Sequence, residues 1–413
     1  MNFFKNYYPP YRLLTLIYLF MIIFAFIVDS PINIIQGLNR IIFSPDILVT
    51  DYMAIGGIGA ALINSSLTSF LSMILLISIG VKPNGSTLVS LWFMTGFSFL
   101  GKNIFNIWPI ILGVYIFSKS QKQPFLNYTL VALLGTSMAP IVSQLSFGGN
   151  LPQWLGVILG IIIGVFVGFI LPPIASSSIK AHNGYNLYNI GFASGLIATL
   201  LMSIFRSMGI DFTTRLIWYT GSNSILLLFL IIVCITLIIV GIISSNDITN
   251  SLLKLNRQHG RLVSDFYFTF GHISYINMGI LGLLSTLFVV VIGGDLNGAT
   301  ICGIFIIIGF GCFGKNLRNV SPVIIGATIA AIFNINNINS PSLILSILFS
   351  TTLAPISGKF GWPYGIIAGI LHVNIVSNIG YLHGGLNLYN NGLAGGFVAM
   401  ILIPLITTFK KED

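Results

Sequence analysis

Between two apolar runs the chain carries a polar island, Gly101-Lys102-Asn103-Ile104-Phe105-Asn106-Ile107-Trp108-Pro109. It returns as Gly314-Lys315-Asn316-Leu317-Arg318-Asn319-Val320-Ser321-Pro322. Lys102 and Lys315, Asn103 and Asn316, and Asn106 and Asn319 are each 213 residues apart. Ammonium and carboxamide groups are costly in lipid, so such residues inside apolar segments are candidates for handling an ion or polar solute. Lysine would attract an anion or fix the site. The asparagines would line a path with donors and acceptors. Each half also holds an aspartate upstream of its lysine, Asp51 and Asp265. Ion pairs Asp51–Lys102 and Asp265–Lys315 would offset most of the burial cost. The two roles are compatible.

A second motif reads HNGYNLYNIGFASG over 182–195 and HGGLNLYNNGLAGG over 383–396. It pairs Asn186 with Asn387, Tyr188 with Tyr389 and Asn189 with Asn390. A helix opening after a glycine-rich turn presents backbone N–H groups to an anionic or carbonyl-bearing solute. The asparagines are therefore expected on the solute path, and the tyrosines as structural or interfacial anchors. Thr136-x-x-Ala139-Pro140 recurs as Thr351-x-x-Ala354-Pro355. These threonines are either pore ligands or partners for carbonyls freed by the prolines. Glycines 160, 164 and 168 recur at 361, 365 and 369, a spacing for close helix packing. Three cysteines in apolar runs suit core packing. No HExxH, Walker A, dinucleotide or nucleophile-elbow pattern is present. No metal, cofactor or soluble-type enzyme chemistry is expected, and the scattered basic residues do not form a nucleic-acid patch.

The elements that position these motifs follow from composition. The sequence is 55% hydrophobic and 7% charged, with a mean hydropathy of +0.96. Apolar runs with short polar breaks predict an all-α polytopic membrane protein. Seven segments precede residue 215. They run from about Tyr11 to Val28, Tyr52 to Gly80, Ser86 to Leu100, the GKN island to Phe117, Phe125 to Val142, Gln153 to Leu171, and the NLYN turn to Phe205. The second is long enough to need tilt or a break at Asn64-Ser65-Ser66. The third and fourth are short, as in a re-entrant hairpin with the lysine at its tip. Collinear matches repeat the order, dividing the chain into repeats at 1–215 and 216–413.

Seven segments, or five plus a hairpin, are an odd number, so the second repeat is expected upside down. With the N-terminus inside, only Arg40, Lys102, Arg206 and Arg215 of the 18 Lys and Arg fall outside. Charge also alternates between matched loops: KSQKQ (119–123) corresponds to uncharged NINNINS (334–340). This asymmetry predicts inverted repeats with both termini cytoplasmic, in the cell membrane.

On these motifs the chain resembles an uncharacterised family of bacterial integral membrane proteins, known only as a domain of unknown function. It is also distantly similar to urea transporters. Their repeats carry G-Q-x-x-F-x-N-N-P-x-x-G and later G-L-Y-G-Y-N-G, where this chain has GKNIFNIWPIILG and HNGYNLYNIG. That likeness implies an inverted-repeat pore with the matched Asn and Pro residues near its constriction. The expected function is a transporter or channel for a small polar solute, with the lipid bilayer as its surroundings; a homo-oligomer is compatible. The alternative is a membrane-embedded enzyme or lipid-handling protein, which would have less use for polar motifs in both repeats.

Overall fold

A computed structural model of the chain describes residues 7–149, 151–212, 216–221, 223–388 and 390–409. Lys5, Arg215, Tyr389, Lys410 and Lys411 lie outside the described residues. The first half contains α1 (Pro9–Val28), α2 (Pro31–Ile42), β1 (Val49–Thr50), α3 (Tyr52–Gly56), α4 (Ile58–Ile79), α5 (Gly85–Phe97), α6 (Trp108–Ser120), α7 (Thr129–Gly135), α8 (Ala139–Phe147), α9 (Gln153–Ala181) and α10 (Asn189–Ser207). The second contains β2 (Leu216–Ile217), α11 (Asn223–Ile243), α12 (Ile248–Asn256), α13 (Phe266–Phe270), α14 (Ile273–Val291), α15 (Gly298–Phe310), α16 (Leu317–Ile332), α17 (Pro341–Ser350), α18 (Ala354–Phe360), α19 (Trp362–Ile379) and α20 (Asn390–Phe409). The helix order of the first half thus returns in the second. Nine helical stretches among the described residues are long and apolar enough to cross a membrane.

At 13 residues each, α5 and α6 reach only about 20 Å apiece, short of a bilayer core. The GKN loop joins α5 to α6, and its counterpart joins α15 to α16. Every residue of α15, and all but Ser86 of α5, is buried. These two helices lie against each other at the centre, with Trp92 edge-on to Phe305 at 5.2 Å.

The long second segment breaks at Gly57, not at Asn64-Ser65-Ser66. Gly57 has φ +91°, open to glycine and strained for other residues. The Asn-Ser-Ser stretch stays helical because its side chains have partners. Asn64 Nδ2 donates to Ser98 O (2.7 Å) and Lys102 O (2.8 Å), Ser65 to Thr95 O, and Ser66 back to Leu62 O. The sixth segment continues through Pro172 and Pro173 to Ala181.

The glycine spacing acts as packing except at Gly361, which takes φ +102° to start α19 and meets no neighbouring helix. A Cβ on Gly168 would run into Ile110 O, and one on Gly369 into Val323 O. Backbones of α6 and α9, and of α16 and α19, therefore touch.

The halves grip each other reciprocally. Asn186 Nδ2 donates to Gly392 O (2.9 Å) and Asn387 Nδ2 to Gly191 O (3.3 Å). Leu187 N donates to Thr352 O and Leu388 N to Ser137 O, both at 3.0 Å. Matched residues exchanging matched bonds is the pattern of a two-fold relation. The parallel pairing of β1 with β2 ties the halves again.

Candidate functional site

The island begins where α5 ends. Lys102 N closes the last turn on Phe97 O, and Gly101 takes φ +88° to turn the chain back. Asn103 Oδ1 then accepts from Asn106 N (3.0 Å), and Asn106 Oδ1 accepts from Asn103 N (2.9 Å). Asn316 and Asn319 do the same at 3.0 and 2.9 Å. At Asn316 and Asn319 this is the capping box of α16, in which two side chains satisfy each other's backbone donors; at Asn103 and Asn106 the same bonds close the turn ahead of α6. The amide nitrogens are also committed. Asn103 donates to the Tyr52 hydroxyl, and Asn106 to Gly101 O, Ser143 Oγ and Asp46. Asn316 donates to Leu255 O and Gln258 O, and Asn319 to Gly314 O. All four are buried. Their hydrogen-bonding groups hold the loop closed.

The ion pairs expected of Asp51 and Asp265 are also absent. Asp51 accepts from Met53 N (2.8 Å), Tyr219 N (3.0 Å) and Gly298 N (3.0 Å). Asp265 accepts from Phe268 N (2.7 Å) and, with both oxygens, from Gly85 N (2.9 and 2.8 Å). Each aspartate thus starts its own short helix and caps the central helix of the opposite half. Several N–H groups at a helix start stabilise a carboxylate well. The ion pair among the described residues is Arg206–Asp211 at 3.1 Å.

Both lysine side chains are fully buried. Lys315 Nζ donates to the Tyr188 hydroxyl and Thr351 Oγ1, both at 2.7 Å. It lies over the Tyr188 and Phe310 rings at 4.7 and 4.9 Å. Lys102 Nζ lies 5.2 Å from the Phe97 centroid and 3.9 Å from Met94 Sδ. Ring faces attract cations. Thr136 and Thr351 each donate to a carbonyl three residues back, at 2.6 Å. In addition, Thr351 accepts from Lys315. Both sit in 3-10 turns that join α7 to α8 and α17 to α18, with Pro140 and Pro355 in the first turn of the following helix.

The NLYN turns anchor the seam. Asn189 Oδ1 meets His182 Nε2 at 2.9 Å, and Asn390 Oδ1 meets His383 Nε2 at 2.8 Å. Asn186 Oδ1 accepts from Thr352 Oγ1 and Tyr188 N. No cluster of three or more metal-ligating side chains occurs among the described residues.

These turns place an aromatic septum that the motifs did not announce. Phe93, Phe97, Tyr188, Phe310 and Phe349 pack ring to ring. Centroids lie 5.0 Å apart for Tyr188–Phe310 and 5.9 Å for the stacked pair Phe97–Phe349. A cavity of about 650 Å³ reaches the septum from the side of Arg206, Asn336 and Tyr381. Another of about 190 Å³ reaches it from the side of Ile179, Leu262 and Val263. Between them is a gap of about 10 Å³. Phe349 and Asn391 face both the gap and the larger cavity; Phe93 and Tyr188 face both the gap and the smaller one. Of the residues that the sequence singled out for the path, Asn189 and Asn390 line a cavity, one each. Recurring polar residues drew attention to the loop, whereas the septum is made of aromatics that composition alone assigns to the core. Asp46 was also missed: its buried Oδ2 accepts from the Tyr52 hydroxyl and Asn106 Nδ2.

Long apolar helices, with buried polar loops whose hydrogen bonds are met internally, define an all-α multi-pass membrane protein. Within that class the chain belongs to the family described as Protein of unknown function (DUF1576), which matches residues 30–207 and 244–408. No curated protein and no solved structure matches it, so the likeness to urea transporters has no further support.

Proposed function

We propose that the protein is a transporter or channel that carries a small polar solute through the seam between two inverted repeats. The observation that carries this reading is the pair of cavities that approach one aromatic septum from different sides. The matched helices α5 and α15, α7 and α17, and α10 and α20 surround them, as expected when a path follows a two-fold seam. The basic-residue asymmetry supports opposite orientation of the repeats in the cell membrane, with both termini cytoplasmic. It is consistent with the cavities: the larger one borders Arg206 and the 334–340 loop, both assigned outside, and the smaller one borders Ile179, next to Lys180 on the inside. Substrate would enter from one cavity, shed water at the septum and leave by the other.

The test is flux into liposomes holding the purified full chain, with a panel of small neutral, anionic and cationic solutes. At least one solute is expected to cross faster than through protein-free vesicles. Phe93→Ala with Phe349→Ala, which removes two rings from the septum, should raise its rate. The reading fails if neither protein passes any solute above the vesicle background.

A further inference from the structure

We infer that the septum is an anion-selective site, so that the solute is a small monovalent anion. This rests on the path reading and names its substrate class. Lys315 Nζ reaches the septum from behind, with its two oxygen contacts at 2.7 Å on Tyr188 and Thr351. An ammonium only donates, so both hydroxyl oxygens act as acceptors towards it. Thr351 sends its proton to Leu348 O. The Tyr188 proton then points away from Lys315, and Tyr188 lines both the gap and the smaller cavity. The polar end of the septum is therefore a tyrosine hydroxyl backed by a lysine ammonium.

The negative groups that would favour a cation are turned elsewhere. Asp51 and Asp265 are held by backbone N–H groups at the starts of α15 and α5. Asp211 is the one carboxylate lining these cavities among the described residues, and Arg206 binds it at 3.1 Å. Fixed charge next to a constriction of low polarity sets the sign of ion that passes. The septum leaves a gap of about 10 Å³, so a small anion needs the least widening to pass.

The full chain is reconstituted into liposomes, and uptake of formate, nitrate, chloride, sodium and urea is followed, with reversal potentials measured under salt gradients. The wild-type protein should pass one or more of the anions and exclude sodium, its reversal potential following the anion gradient. Lys315→Met should lower anion flux by about tenfold or more, the scale of a lost hydrogen bond to a charged group. Lys315→Arg, which keeps the charge, should retain more of the flux. A selectivity that follows sodium, or flux of urea with no anion, overturns the anion assignment and leaves a path in place. Absence of flux for every probe overturns both. The wild-type reversal potential decides the sign of the solute even if a lysine variant fails to fold.

Discussion

The cross-capping aspartates set a measurable order of stabilities. Asp51 is fully buried, and its two oxygens serve three backbone N–H groups, those of Met53, Tyr219 and Gly298. Asp51→Ala takes this acceptor from three donors, two of them buried and the third, Tyr219 N, half-buried. At about 1–3 kcal/mol for each unsatisfied group, with some relief from relaxation, the loss should be about 3–6 kcal/mol. Asp51→Asn keeps one oxygen. Placed where Oδ2 stood, that oxygen still serves Tyr219 and Gly298, and the amide nitrogen faces Met53 N–H; the loss should be nearer 1–3 kcal/mol. Asp265 serves two N–H groups at a half-buried position, where water can replace part of its role. Asp265→Ala should therefore cost about 1–3 kcal/mol. Equilibrium unfolding in mixed micelles, followed by tryptophan fluorescence, gives the four values. The expected order is wild type, then Asp51→Asn and Asp265→Ala together, then Asp51→Ala. The reasoning is refuted if Asp51→Ala unfolds with the wild type, or if Asp265→Ala is the more damaging of the two alanine variants.

The α16 capping box predicts that Asn316→Ala lowers stability by about 1–2 kcal/mol without altering solute preference; a changed preference at unchanged thermal midpoint would return the asparagines to the path. Gly168→Val and Gly369→Val push side chains into the backbones of α6 and α16 and should destabilise by about 1–3 kcal/mol or more, read as a lower midpoint. Gly380→Ala, at a helical φ of −57° and with only side-chain atoms at 3.8 and 4.0 Å from its Cβ site, should be far milder. Cys234, Cys302 and Cys312 are buried, so a thiol-reactive dye should label the native protein only on unfolding. Against that quiet background, an impermeant maleimide added to intact cells should label Asn336→Cys and spare Gln121→Cys. Equal labelling of these matched, exposed loops would refute the inverted orientation.

Much of the fold is legible in the sequence because burial cost is a property of residue type. Apolar runs place the helices, although the sixth runs ten residues past its expected end at Leu171 to Ala181, and the short third and fourth segments are short helices. Gly-x-x-x-Gly spacing marks where backbones touch. The recurrence of the GKN and NLYN motifs predicts matched environments, and matched hydrogen bonds are found. Local polar pattern was a poorer guide to helix breaks: Asn64 and Ser65 have partners on α5 and its loop and Ser66 bonds back within its own helix, whereas Gly57 makes the break.

The sequence by itself determined that lysines, aspartates and asparagines lie among apolar segments and must each find a partner. Which partner, only the tertiary structure decided. Asp51 meets Gly298 across 247 residues and Asp265 meets Gly85 across 180, so the carboxylates cap the opposite half and leave the lysines to hydroxyls and rings. The same docking turns five ordinary core aromatics into a septum between two cavities. The need for a partner is local and written in side-chain chemistry; its identity depends on which distant segments the packing of the two halves brings together.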